Sequence, residues 1–346
     1  MNTITLPPIE LDRALATIER VTHIRDIPGA DNIVVARIRN WDVVVVRTEI
    51  REGDLVVYIE TDALVPTADE RFAFLAPRGY RVDEAGNAGH VLKIARLRGQ
   101  YSQGLAMPIA LFPELAGLTA GEDVTRQLGI VKWDQPIPAD LLEYVHGALP
   151  SSIPHTKEER IQNNDSIIGK GGDWIATEKI DGSSLSAFLR DGVPGVATRN
   201  YDLIEGDNVF WRAAHAFGIH AILAELSSTA VIQGEVFGAG TKPNTLDLKT
   251  LEFRAFTLIV DGVEIPRAEW PASVLAIAVP VHDLALPTTV EAAIEQVDGL
   301  RSLINPKKYA EGIVWRKTDT TTIEHNGQIV RASSKVISRK YLLKQG

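Results

Sequence analysis

The stretch Ala176-Thr177-Glu178-Lys179-Ile180-Asp181-Gly182-Ser183-Ser184 decides how the rest of the chain is read. A lysine stands between acidic residues and just before a Gly-Ser-Ser turn. Taken alone, Lys-x-Asp-Gly is short and built of common residues, and a charged surface turn explains it as well. Its company changes its weight. Thr198-Arg199-Asn200, Gln233-Gly234-Glu235-Val236-Phe237-Gly238, Phe253-Arg254-Ala255-Phe256, Ala310-Glu311-Gly312-Ile313-Val314-Trp315-Arg316 and Ser334-Lys335-Val336-Ile337-Ser338 follow it in that order.

This ordered set resembles the covalent nucleotidyltransferase superfamily of polynucleotide ligases and RNA capping enzymes, and the chemistry suits the residue types. A lysine amine attacks phosphorus only when neutral. Its ordinary pKa is about 10.4, so a second cation nearby, Lys335 or a metal ion, is expected to lower it. Transfer at phosphorus asks the protein mainly for positioning and charge neutralisation. A carboxylate such as Glu311 suits a hard divalent metal that keeps several waters. By resemblance, Lys179 is the nucleophile that becomes lysyl-AMP and Asp181 serves the later steps. Glu178 helps to recognise adenine, Arg199 contacts the ribose and then the 5′-phosphate end, and Glu235 binds a ribose hydroxyl. Phe256 stacks on the base, Glu311 accompanies the metal (Mg2+ or Mn2+), and Lys335 lies on the α-phosphate of ATP. Arg199 and Lys340 are expected on the nucleic acid. Each has a plainer alternative: Phe256 as ordinary core, Glu235 and Glu311 as solvated charges, Arg199 as a surface ion-pair partner.

Within the superfamily, the chain resembles the Deinococcus-type ATP-dependent RNA ligases, which place an OB fold ahead of the catalytic domain. Only eleven residues follow Lys335, so the C-terminal OB domain of DNA ligases and capping enzymes is not expected here. Ser152-Ile153-Pro154-His155-Thr156-Lys157-Glu158-Glu159-Arg160-Ile161-Gln162-Asn163 resembles the start of the catalytic domain in nick-sealing RNA ligases. Two positions depart from the pattern. Thr257 stands where many members have Asp, and Ser333 where many have a second lysine, which Arg331 or Lys340 would have to replace.

Ahead of the motif, Ile33–Ile38, Trp41–Arg47, Asp54–Ile59 and His90–Leu97 are short β-branched runs broken by turn signals such as Pro28-Gly29 and Glu52-Gly53-Asp54. Several such strands in about 100 residues predict a small barrel or sandwich. Residues 136–155, with Pro136, Pro138, Pro150 and Pro154, read as a linker or short helical connection. Beyond it, strands at Val231-Ile232, Phe253–Val260 and Gly312–Arg316 mix with helices over about 207–226 and 289–304. The expectation is therefore α+β: an OB-like barrel over 1–135, a linker over 136–155, and a nucleotidyltransferase domain of antiparallel sheets with flanking helices over 156–346.

The net charge is −9, which taken alone argues weakly against nucleic acid. Its distribution is uneven. Residues 1–150 carry 15 basic against 21 acidic side chains, whereas residues 307–346 carry nine against three. A basic end on an acidic protein fits a phosphate site, and equally a solvated basic face. In the acidic first half, Arg47, Arg51, Lys93, Arg96 and Arg98 are candidates for a local basic strip. With no cysteine, thiolate zinc sites, iron–sulfur clusters, disulfides and a cysteine nucleophile are excluded. Neither Gly-x-x-x-x-Gly-Lys-Ser/Thr nor Gly-x-Gly-x-x-Gly occurs, and the histidines show no His-Glu-x-x-His pair. No apolar run reaches the length of a membrane helix, and Met1–Glu10 lacks the features of a signal peptide. A cytoplasmic monomer acting on nicked RNA or RNA/DNA duplex is the expectation. The rivals are a nucleic-acid-binding protein that has lost catalysis and a GTP-using capping-type transferase.

Overall fold

The computed structural model describes residues 14–83, 85–133, 137–155, 158–325 and 328–345. Met1–Glu10 and the Thr156-Lys157 pair read above lie outside the described residues. The chain divides into two compact units, one built mainly on residues 8–136 and one on 137–341.

In the first unit, a five-stranded antiparallel sheet runs in the order Leu105–Pro108, Leu55–Ile59, Ala16–Asp26, Ile33–Ile38, Trp41–Val46. The long strand Ala16–Asp26 pairs through its first half with Leu55–Ile59 and through its second half with Ile33–Ile38. A bulge between Val21 and His23 separates the halves and bends the strand, so one segment serves both sides of a half-barrel. Leu15, Ile18, Val57, Ile59, Phe72 and Phe112 fill one part of its interior, and Val21, Val34, Ile38, Trp41 and Val43 another. This is the OB-type architecture expected. The basic candidates are not all unengaged: Arg47 pairs with Asp26 at 2.8 Å.

The second unit holds two main sheets. A seven-stranded antiparallel sheet has the order Val145–Ala148, Tyr201–Leu203, Val193–Ala197, Ser183–Arg190, Ala230–Gly238, Leu251–Val260, Val263–Glu264. Strand alternation sends Leu185, Ala187, Leu189, Ile232, Phe253, Ala255 and Leu258 to one face, where Phe210, Trp211, Ile219 and Leu223 of two helices cover them. A four-stranded antiparallel sheet runs Val281–His282, Trp174–Lys179, Gly312–Lys317, Ser333–Ile337. Its back packs Ala176, Ile313, Trp315 and Val336 against Val290, Ala293, Ile294 and Val297 of the helix Val290–Val297.

Three expectations need correction. The helix expected over 207–226 is two helices, Val209–Ala216 and Ile219–Ala224. Gly218 between them adopts φ 58°, a left-handed conformation that ends a helix at low cost. The helix expected over 289–304 stops at Val297, and Gly299 follows at φ 90°. The stretch read as a linker or short helical connection holds the short helix Ala139–Leu142 and also supplies a strand: Val145–Ala148 closes one edge of the seven-stranded sheet against Tyr201–Leu203. Its sequence, Val-His-Gly-Ala, carries a single β-branched residue, so nothing local announced it.

Candidate active site

Register places the site. Thr177 lies opposite Val314, Lys179 opposite Gly312, and Val314 in turn opposite Lys335. Directly opposed residues share a face. Ile175, Thr177 and Lys179 therefore stand with Val314, Arg316 and Lys335 on the front of the four-stranded sheet, away from the core. On the seven-stranded sheet, Ser184, Glu235 and Arg254 are opposed in the same way, on the face that the two helices do not cover.

Lys179 is the last residue of its strand, and its Nζ donates to Glu311 Oε2 at 2.7 Å. Glu311 immediately precedes Gly312, so strand pairing delivers it to the lysine. Three residues after Lys179, Gly182 lies against the strand Ala230–Gly238. A Cβ there would sit 2.3 Å from Val236 O and 3.0 Å from Glu235 Cγ. Only glycine allows that approach, which holds the Lys-x-Asp-Gly turn against the strand of Glu235.

The charges do not balance. Burial raises the carboxyl of Glu235 to about 8, against the pull of Lys179 and with the repulsion of Glu311 and Asp181. Burial also raises Glu311, opposed by Lys179. For Lys179, burial lowers the pKa, but Glu311, Glu235 and Asp181 outweigh it and hold the ammonium above its ordinary value. Of the groups around it, three carboxylates set this direction, and a cation brought to Glu311 would oppose them. The site is short of positive charge, which fits a divalent cation and the groups it carries. Among the described residues no cluster of three or more His, Cys, Asp or Glu forms a ready metal cage. A hard cation that retains waters and binds phosphate oxygens needs only one or two protein carboxylates, and Glu311 fits that part.

Phe256 occupies a bulge. Gln233 pairs with Thr257 but Gly234 pairs with Ala255, so Phe256 has no partner on the neighbouring strand. Such an extra residue re-aims a side chain. Arg316 holds it: Nη1 donates to the Phe256 carbonyl and the guanidinium carbon lies 5.5 Å from the ring centre. Arg316 Nη2 donates to Glu158 Oε1 at 2.5 Å. Burial would raise the Glu158 carboxyl, but Arg316 and Arg331 hold it below the usual range.

The RNA ligase family profile matches residues 172–337, and an OB-fold domain profile matches residues 15–109. The Naegleria gruberi RNA ligase with pyrophosphate superposes with a TM-score of 0.82 at 33% identity, over 96% of this chain and 98% of that one. The chain belongs to the RNA ligase family. A variant of the Naegleria enzyme with ATP and manganese gives a TM-score of 0.82, and another with AMP and manganese 0.83, both at 33% identity over 96% of this chain and 99% of theirs. No curated protein matches the sequence.

The remaining candidate positions of this RNA ligase are spread over both sheets and the helix Arg339–Gln345. Lys335 contributes charge near both Glu311 and Glu158, and its backbone is tied by Lys335 N to Glu159 O at 2.8 Å and by Ile161 N to Lys335 O at 2.9 Å. Arg199 is exposed on the turn after Val193–Ala197, with its charge felt at Glu235. Lys340 is exposed in the first turn of the helix Arg339–Gln345. The departures have a physical account. Ser333 is buried directly opposite Arg316, where a lysine would set two cations side by side. Thr257 is buried and accepts a long 3.4 Å bond from Arg316. Arg331, considered as a stand-in for the second lysine, is already paired with Glu158 at 3.8 Å and with Glu264.

Glu178 points the other way. It is buried on the back of the sheet, where its carboxylate accepts from Ser302 Oγ at 2.5 Å and Leu303 N at 2.7 Å, and meets His282 Nε2 at 3.1 Å. The adenine-reading role implied by resemblance would fall to a side chain already held three ways. Sequence reasoning missed His282 and Ser302, which stand 104 and 124 residues from Glu178. It also missed Glu158, Arg316 and Tyr341 as site residues. Arg316 had a usable signal, since it is two residues beyond Val314 and shares its face.

Proposed function

We propose that this RNA ligase works through lysyl-AMP on Lys179 and seals nicks in duplex nucleic acid that present an RNA 3′-hydroxyl. The observation that carries the reading is the Lys179–Glu311 pair at the end of a strand, ringed by Glu235, Asp181 and Lys335. Lys179 first parts from Glu311 and loses a proton. Its nitrogen then bonds to the α-phosphorus of ATP as the bond to pyrophosphate breaks. A 5′-phosphate oxygen next takes the AMP, breaking the N–P bond and restoring the lysine. Finally a 3′-hydroxyl attacks the activated 5′-phosphorus, and AMP leaves.

Lys335, with Arg316 further along the same face, brings cationic charge to the phosphate side, where developing charge has to be neutralised. Phe256, fixed by Arg316, offers a ring to the base, and Glu235 a carboxyl to the ribose. Glu311 would hold a divalent metal, which when bound neutralises phosphate charge. Exposed Arg199 and Lys340 suit a later contact with the polynucleotide, because nothing in the apolar core requires them. The OB unit would hold the duplex beside the nick, and Asp181 would act once AMP has left the lysine.

Incubation with α-³²P-ATP and a divalent metal, followed by denaturing electrophoresis, is the test. A labelled band in the parent and none in Lys179→Ala is expected. Label from GTP alone would move the chain to capping chemistry, and label from neither nucleotide across metals would sink the reading. Sealing assays on a nick, a gap and a single-stranded end, with RNA or DNA at the 3′-hydroxyl, then decide the substrate.

A further inference from the structure

Asp181 is held by a residue 160 positions away: Tyr341 donates its hydroxyl to Asp181 Oδ2. Tyr341 sits in the first turn of the helix Arg339–Gln345 and is 6% exposed. Burial and the carboxylate of Asp181 push its phenol well above the usual tyrosine range, so the hydroxyl remains a donor. The start of that helix is in turn pinned by Asp298, which ends the helix Val290–Val297. Asp298 Oδ1 accepts Lys340 N at 2.8 Å, and its Oδ2 accepts Arg339 Nη2 at 3.2 Å. Ser338 Oγ accepts Tyr341 N and Gly299 N, both at 3.2 Å.

The backbone of Tyr341 is capped by the Ser338 hydroxyl, and its neighbours Lys340 and Arg339 are tied to Asp298, so the point from which its ring projects is fixed. The tip meets the one carboxylate of the Lys-x-Asp-Gly turn. Asp181 is two residues from Lys179, and its charge reaches Lys179, Glu235 and Glu311. Without the phenol, the carboxylate could turn toward the lysine ammonium and compete with Glu311 for it.

We propose that Tyr341, set by the Asp298-capped start of the last helix, is a positioning residue that orients the Asp181 carboxylate for the adenylyl-transfer chemistry. The inference rests on the lysyl-AMP reading above. It assigns to the C-terminal helix a part in catalysis that no motif residue there announces.

The test is Tyr341→Phe, which removes one oxygen and keeps the ring. Three quantities are compared with the parent: the single-turnover rate of label transfer from α-³²P-ATP to the protein, the rate of sealing of a pre-adenylylated RNA strand on a nicked duplex, and the thermal midpoint. A fall of at least fivefold in one or both rates is expected. The KM for ATP stays within twofold and the midpoint within about 2 °C. Rates within twofold of the parent overturn the proposal. So does a loss explained by a raised KM, which would mean substrate contact, or by a lowered midpoint, which would mean a structural role alone. A parent enzyme that takes no label from ATP sinks the ligase reading itself, whereas an active parent matched by Tyr341→Phe sinks only this inference.

Discussion

Adjacent residues of one strand, Glu178 and Lys179, face opposite environments, and both environments contain buried carboxylates. Behind the sheet, Glu178 meets a hydroxyl, a backbone amide and an imidazole, each within 3.1 Å. In front, Glu235, Glu311 and Asp181 crowd one ammonium, and burial lifts Glu235 and Glu311 above the usual carboxylate range. A carboxylate satisfied by fixed dipoles is a tie between elements. Carboxylates that crowd the Lys179 ammonium and are raised by burial suit a further cation. The contrast separates structure from chemistry between two neighbouring charged residues of one strand.

The largest expected effect comes from breaking the back face. Glu178→Ala strands three donors and should lower unfolding free energy by about 3 kcal/mol, read by urea denaturation. A loss under about 1 kcal/mol would mean that the back face is no more structural than the front. Gly182→Ala should cost about 2 kcal/mol and slow adenylylation, because its Cβ would meet the Val236 carbonyl at 2.3 Å. Gly171→Ala, which meets nothing within 4 Å, is the matched control and should change neither quantity.

The front face makes a pH prediction. The Glu235 carboxyl is raised from 4.5 to about 8. Between those values the folded protein keeps a proton that the unfolded chain has released, so stability falls as pH rises across the window. Glu235→Gln removes that loss. Its stability relative to the parent should be near zero at pH 4.5 and grow steadily toward pH 8, measured by denaturation at both values. A difference that shrinks with pH would show that the carboxyl is not held neutral. The smallest effect sharpens the back face: Ser302→Ala removes one of three partners of Glu178 and should cost about 1 kcal/mol, with adenylylation unchanged.

Much of the site was readable in advance because its residues lie in short motifs whose order survives any arrangement of the loops between them. Lys179, Glu235, Glu311 and Asp181 share one neighbourhood of charge in the structure. What stayed hidden depends on pairing distant in sequence. Glu158 reaches Arg316 across 158 positions, and Tyr341 reaches Asp181 across 160. No periodicity reports such contacts. The strand Val145–Ala148 was hidden for another reason, since its place comes from the edge it completes and not from its own composition. The long helix expected from 207 failed at Gly218, where a single left-handed residue divides two helices that both cover the same core.

The bulge at Phe256 has a consequence for the whole strand that carries it. Before it, Phe253 and Ala255 enter the helix-covered core; after it, Leu258 does. Odd positions give way to even ones, so the strand changes phase at Phe256. Deleting that residue would leave Phe253, Ala255 and Leu258 in unbroken alternation on the core face, with Arg254, Thr257 and Ile259 on the other. Phe256 is thus an insertion that the core does not need: the sheet would close without it, and the loss would fall on the ring and on the carbonyl that Arg316 holds.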